Sequence, residues 1–142
     1  FCRWGFWRCG SAALLWSLHL AYAFLPLGLW LLCLQQAGWV DGGSAPLHAL
    51  TVGTIGGVIL AMMTRVSLGH TGRPLEAPKI MSLAFSCILI AACLRALLPL
   101  FLPGQTQLAI ALAGGAWLLA YALFVVCYAP VLFTPRTDGK PG

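Results

Sequence analysis

The sequence predicts an all-α protein, a polytopic bundle of four membrane-spanning helices with both termini cytoplasmic. Three observations predict it. Hydrophobic residues make up 61% of the 142 positions and charged ones 8%. A soluble domain carries about 25% charged residues, so this surface is made for lipid. Four apolar stretches follow one another, over about 11–34, 45–68, 80–102 and 108–133. Each approaches the ~20 residues that a membrane helix needs. Finally, the basic residues alternate by loop. Arg3 and Arg8 precede the first stretch, Arg73 and Lys79 separate the second from the third, and Arg136 and Lys140 follow the fourth. The two other connections hold Asp41 or no charge. Lys and Arg mark cytoplasmic loops, so this spacing requires an even number of spans. The net charge of +5 is thereby accounted for without a nucleic-acid partner. The partner it implies is the lipid bilayer.

Residues 1–10, FCRWGFWRCG, interleave Arg with Trp and Phe. That mixture suits an interfacial connector at headgroup level. The first helix carries His19, Tyr22 and Pro26. Pro26 stands in mid-span, where a missing N–H predicts a kink. Residues 35–44 form a short polar outer loop. It ends on Ser44, read as an N-cap, with Pro46 in the first turn behind it.

The second helix has a small residue at every fourth place: Ala45, Ala49, Gly53, Gly57 and Ala61. Such a stripe lets a neighbouring backbone come close. About 100° away lie His48, Val52, Ile55, Ile59, Met62 and Val66. His48 and His70 are 22 positions apart. On a uniform α-helix they share nearly one face and stand roughly 33 Å apart, about one hydrocarbon thickness. Two imidazoles so placed serve two sites, one near each membrane surface. Residues 69–79 hold two Gly and two Pro and end the helix close to His70. The third helix carries Arg95. The fourth opens after PGQTQ and holds Gly114, Gly115, Trp117 and Tyr121. Residues 134–142 read as a disordered tail. The domain plan is thus a connector at 1–10, a membrane domain at 11–133 and a tail at 134–142. The chain begins at Phe1 without Met, as a piece of a longer protein would.

Ionisable groups inside a span are functional candidates by default, because their desolvation is costly. Here they are His19, His48, Arg65 and Arg95, with His70 and Arg73 at the boundary. No carboxylate lies inside a span, which argues against a proton relay of Asp or Glu. His48 reads either as a metal or haem ligand through a neutral ring nitrogen or as an interfacial histidine in a hydrogen bond. His70 lies beside Gly69, where a flat group can approach. It reads equally as a histidine at a helix C-terminus. His19 sits ~12 Å deep and needs Tyr22, a backbone carbonyl or a metal. Arg65 and Arg73 bracket His70 and suit bidentate pairing with carboxylates such as haem propionates. Snorkelling to the interface is the alternative for Arg65. Arg95 belongs to the outer half, where Asp41 is the one acid of this chain near its level. Met62 and Met63 are soft-ligand types but read as core packing. The six cysteines include no CxxC pair, so a zinc or thioredoxin-like site is disfavoured. Four of them lie in apolar runs, where Cys acts as a small hydrophobe.

The run HALTVGTIGGVILAMMTRVSLGHTGRPL at 48–75, preceded by WSLHLAYAFLPLGLW at 16–30, resembles the C-terminal third of the NnrS family. The resemblance implies a bacterial inner-membrane protein with haem and copper, tied to the nitric oxide response. It implies His19, His48 and His70 as candidate haem or copper ligands; Arg65, Arg73 and Arg95, from their own chemistry, are the candidate partners of haem carboxylates. It also implies about a dozen spans in all, so the remaining N-terminal helices are expected as partners of these four. Two other classes compete: a transport or channel component, and a structural bundle that uses the small-residue stripe for assembly. No general acid, nucleophile or substrate pocket is legible, so turnover is not expected.

Overall fold

The computed structural model describes residues 12–41, 43–137 and 139. The connector read at 1–10 lies outside the described residues. Among the described residues four long helices form: α1 (Ala13–Gln36), α2 (Ala45–His70), α3 (Lys79–Phe101) and α4 (Thr106–Leu132). All four are long and apolar enough to cross a membrane.

α1 buries Leu14, Ser17, Ala21, Phe24, Gly28 and Leu31. The alternating steps of three and four make a seam for one neighbour. That neighbour is α2, running antiparallel. A methyl built on Gly53 would overlap the Phe24 ring, and one on Gly57 would fall 2.7 Å from Ala21 Cβ. One on Gly28 would meet Leu50 Cδ2 at 2.7 Å. The small stripe of α2 is therefore spent inside this chain. Ala45, Ala49 and Ala61 on it are all buried, so it offers nothing to an assembly partner. α1 is continuous through Pro26.

α2 departs from uniform winding. Ala49–Gly56 is π-helical, between an α-helical first turn and the α-helical Gly57–His70. A π-helix closes i→i+5 rings, so each residue turns and rises less. The 33 Å spacing drawn from an α-helix is accordingly too long. His48 immediately precedes the π segment and His70 is the last residue of the helix. Ser44 stands at the N-cap position but makes no side-chain cap bond.

α3 and α4 pack closely. Met81, Phe85 and Ile88 of α3 meet Phe124 and Tyr128 of α4, with Leu60 of α2 and Leu14 of α1 completing the core. Trp16 stands edge-on to Phe85 at 6.1 Å, and Phe124 stacks on Tyr128 at 4.9 Å. Two buried hydroxyls are satisfied within their own helices, Ser17 Oγ donating to Leu14 O and Thr64 Oγ1 to Leu60 O, whereas Thr54 Oγ1 and Tyr128 Oη are buried without a hydrogen-bond partner among the described residues. Met81 is buried, but Met62 and Met63 are 43% and 38% exposed. The core reading of those two is thus corrected: they lie off the buried stripe, on the outward face of α2. The four described cysteines are free thiols.

The connection between α2 and α3 is tied to the end of α4. Arg73 Nη2 donates to Thr134 Oγ1 at 2.9 Å and Nη1 to Val131 O at 3.4 Å. Thr137 Oγ1 donates to Gly72 O at 2.9 Å, and its backbone N–H reaches Thr71 O. The guanidinium thus sits at the negative end of the α4 dipole. Arg73→Gln is expected to cost about 1 kcal/mol, since the bonds are half-exposed. Limited proteolysis of the segment after Leu132 should quicken while the spans stay protected. The same latch places the α2–α3 connection and the α4 terminus on one side of the membrane. A reporter fused after Gly142 is expected to read cytoplasmic, and a periplasmic readout would break the alternation of basic loops.

Candidate functional site: three histidine clefts

The histidines fall in three separate clefts. His48, Val52, Arg95, Ile110, Ala113, Gly114 and Trp117 line one of about 220 Å³ at the end of the bundle away from the basic loops. His48 comes from α2, Arg95 from the last turn of the Lys79–Ala96 part of α3, and most of the wall from α4. Both His48 and Arg95 are half-buried. Local sequence sets each position. Pro46 and the first turn of α2 hold His48 at the start of the helix. The regular part of α3 stops at Ala96 and resumes at Leu98. Pro99, with no N–H, cannot bond the carbonyl of Arg95 four residues back. Trp117 is fixed by Tyr121, one turn along α4. Their rings lie 4.4 Å apart, and Tyr121 Oη donates to Gly56 O at 3.1 Å. That carbonyl closes the π segment. π-helical insertions cluster at functional sites, and here one joins the histidine to its aromatic wall.

Arg95 also lines the adjoining cleft of about 280 Å³ with Asp41, Ser44, Pro99 and Thr106. The acid expected near its level is therefore its neighbour, although no ion pair forms between them among the described residues. Thr106 Oγ1 is occupied, donating to Pro103 O at 2.7 Å.

His70 lines a cleft of about 320 Å³ with Met62, Arg65, Val66, Gly69, Leu75 and Arg136. Arg73, expected to bracket His70, faces α4 instead, and Arg136 stands in this cleft. His19 lines the third, of about 210 Å³, with Leu18, Tyr22 and Val58. Its Nδ1 lies 2.7 Å from Leu15 O. A carbonyl only accepts, so Nδ1 is the donor in this bond.

Among the described residues no three His, Cys, Asp or Glu side chains gather as a metal-binding group. Each cleft holds a single imidazole. Sequence reasoning put Val52 on the His48 face but missed Trp117 and Arg136 as lining residues. The Trp117–Tyr121 pair at i, i+4 was visible as a motif, but nothing local connects it to His48.

The fold and these clefts define an integral membrane protein with one candidate ligand histidine per cleft. The chain belongs to the NnrS family: the family described as NnrS protein matches residues 1–136. The match runs through all four helices, including α3 and α4, where the sequence carried no specific motif. Neither a curated protein nor a solved structure matches the chain.

Proposed function

We propose that this chain is the haem-binding part of a bacterial inner-membrane protein of the nitric oxide response, and that His48 and Arg95 hold the haem. The observation that carries this is that His48, Arg95 and Trp117 come from three helices to one cleft. The donor set suits haem. The His48 imidazole would ligate the iron, the Arg95 guanidinium would pair with a haem carboxylate, and Trp117 would offer a flat apolar wall. It supplies one ligand and no more, so a second protein ligand would come from the other helices of a longer chain. When bound, haem supplies an iron centre able to take nitric oxide. The residues here would position the ring, shield it from water and neutralise its carboxylates.

His19 is the candidate for copper. Its Nδ1–H on Leu15 O orients the ring, as outer-shell hydrogen bonds do for ligating histidines. The test is the absorbance spectrum of the full-length protein, expressed with haem and purified in detergent. A Soret band is expected, weakened about tenfold in occupancy by Arg95→Gln as the propionate partner is lost. A full-length protein with no Soret band under haem-replete expression would sink the proposal.

A further inference from the structure

We propose that Tyr121 is a positioning residue for His48: its hydroxyl holds the carbonyl that closes the π segment of α2, and that winding aims His48 into the outer cleft. The consequence for haem rests on the reading of His48 as an iron ligand, whereas the aim of His48 is measured without haem.

The winding decides where His48 faces. His48 is the last residue before Ala49–Gly56, and Gly57–His70 follows as α-helix. A segment with i→i+5 bonding turns less per residue than one with i→i+4 bonding. Its two ends are therefore rotated against each other relative to a uniform helix. Gly57–His70 is keyed to α1 where Gly57 meets Ala21, and to the core through Leu60. With that half held, rewinding residues 49–56 as α-helix would turn His48 and Val52 about the helix axis. They would leave Arg95, Ala113 and Trp117, whose cleft they now share.

The π winding has a local cost. Thr64 Oγ1 donates to the carbonyl four residues back, Leu60 O, at 2.9 Å. Thr51 Oγ1 does the same to Leu47 O at 2.8 Å, reaching back into the α-helical first turn. Thr54, whose residue four back lies inside the π segment, makes no such bond, and its Oγ1 is buried without a hydrogen-bond partner among the described residues. A buried hydroxyl so left costs free energy, and support from outside α2 offsets it. Tyr121 supplies that support. Its Oη donates to Gly56 O at 3.1 Å, 65 residues away in the chain. Gly56 is the last residue of the π segment and is buried. In an apolar medium a side chain that brings a donor to a break in the regular ladder holds the break in place. The Tyr121 ring meanwhile lies 4.4 Å from Trp117. The hydroxyl thus sets the histidine and the ring sets the wall, so Tyr121→Phe removes the first function and keeps the second.

The experiment uses the full-length protein in dodecyl maltoside. His48→Cys with Gly114→Cys puts two thiols on the lining of one cleft, and a Cβ at 114 meets nothing within 4 Å. A short bismaleimide joins them, and peptide mass mapping distinguishes the 48–114 link from links to native cysteines. The link is expected to form with Tyr121 in place, and its absence overturns the proposal with no change at Tyr121. Tyr121→Phe should lower its yield about fivefold, the worth of one hydrogen bond. Thr64→Val, which removes a hydroxyl bonded within α2 itself, should leave the yield unchanged. Elution volume checks that each variant folds. In protein that keeps His48, haem titration followed at the Soret band should show affinity about fivefold weaker for Tyr121→Phe. An unchanged link in folded Tyr121→Phe overturns the proposal, and so does an equal loss in Thr64→Val. Weaker haem binding with the link unchanged would put the effect in the Trp117 stack and overturns it too. A lowered link with haem affinity unchanged, or with no Soret band in wild type, counts against the haem reading instead and leaves Tyr121 as the residue that aims position 48.

Discussion

Gly57→Leu is expected to prevent α1 and α2 from packing, whereas Gly115→Leu leaves the bundle intact. The chemical change is the same, and both positions are mid-helix. Leu improves intrinsic helix propensity over Gly by somewhat less than about 1 kcal/mol at either place. The difference is what the new side chain meets. At Gly57 its Cβ would fall 2.7 Å from Ala21 Cβ. That atom is bound directly to the α1 backbone, so relief requires moving the helix rather than rotating a side chain. Overpacking of this kind costs about 1–3 kcal/mol and more when backbone must shift. The seam from Ala21 to Gly28 would separate with it, so a loss above about 3 kcal/mol is expected. At Gly115 a Cβ meets nothing within 4 Å. Gly53→Leu should resemble Gly57→Leu, because its Cβ would overlap the Phe24 ring at its Cβ end. Fluorescence-detected size exclusion and a thermal melt in detergent separate the cases. Equal behaviour of Gly57→Leu and Gly115→Leu would show that the stripe does not carry the α1–α2 contact.

That stripe was legible from sequence because it is local. Small residues at spacing four need only a helix to line up, and residues 45–61 do form one. The four spans were legible for the same reason, since length and apolarity are properties of a single segment. The winding of α2 was not. A 100° step assumes i→i+4 bonding throughout, and no residue in ALTVGTIG announces the i→i+5 pattern of Ala49–Gly56. Its glycines permit it, and Tyr121 Oη, 65 residues along, bonds the carbonyl at its end. The two arginines show the same limit. Arg73 and Arg136 are both basic boundary residues by sequence. Their roles separate only because Thr134 and Val131 return beside the α2–α3 connection and occupy the Arg73 guanidinium. The outer cleft was half legible: His48 and Arg95 stood out as charge-bearing groups in apolar runs, but the wall that joins them comes from α4.

His48→Ala in the full-length protein is expected to lower the Soret absorbance about tenfold or more, because the proposed iron ligand is removed. His70→Ala should leave it within a factor of about two, since a residue in a separate cleft acts nearly independently. The two imidazoles stand at opposite ends of one continuous helix, Ala45–His70. Even with the shorter rise of the π segment, the α-helical Gly57–His70 alone spans roughly 20 Å. One iron binds its ligand nitrogens at about 2 Å, so no single metal can take both. Shared depth, not shared face, decides which groups can meet at one metal. Arg95 and His48 meet at the outer end, and His70 meets Arg65 and Arg136 at the inner one. The measurement is the ratio of Soret to protein absorbance across the single variants, with elution volume as the check on folding. Loss of all haem from folded His70→Ala, with His48→Ala unaffected, would move the haem to the inner cleft. Loss from both would require the histidines to act on one cofactor, which α2 as an unbroken helix forbids.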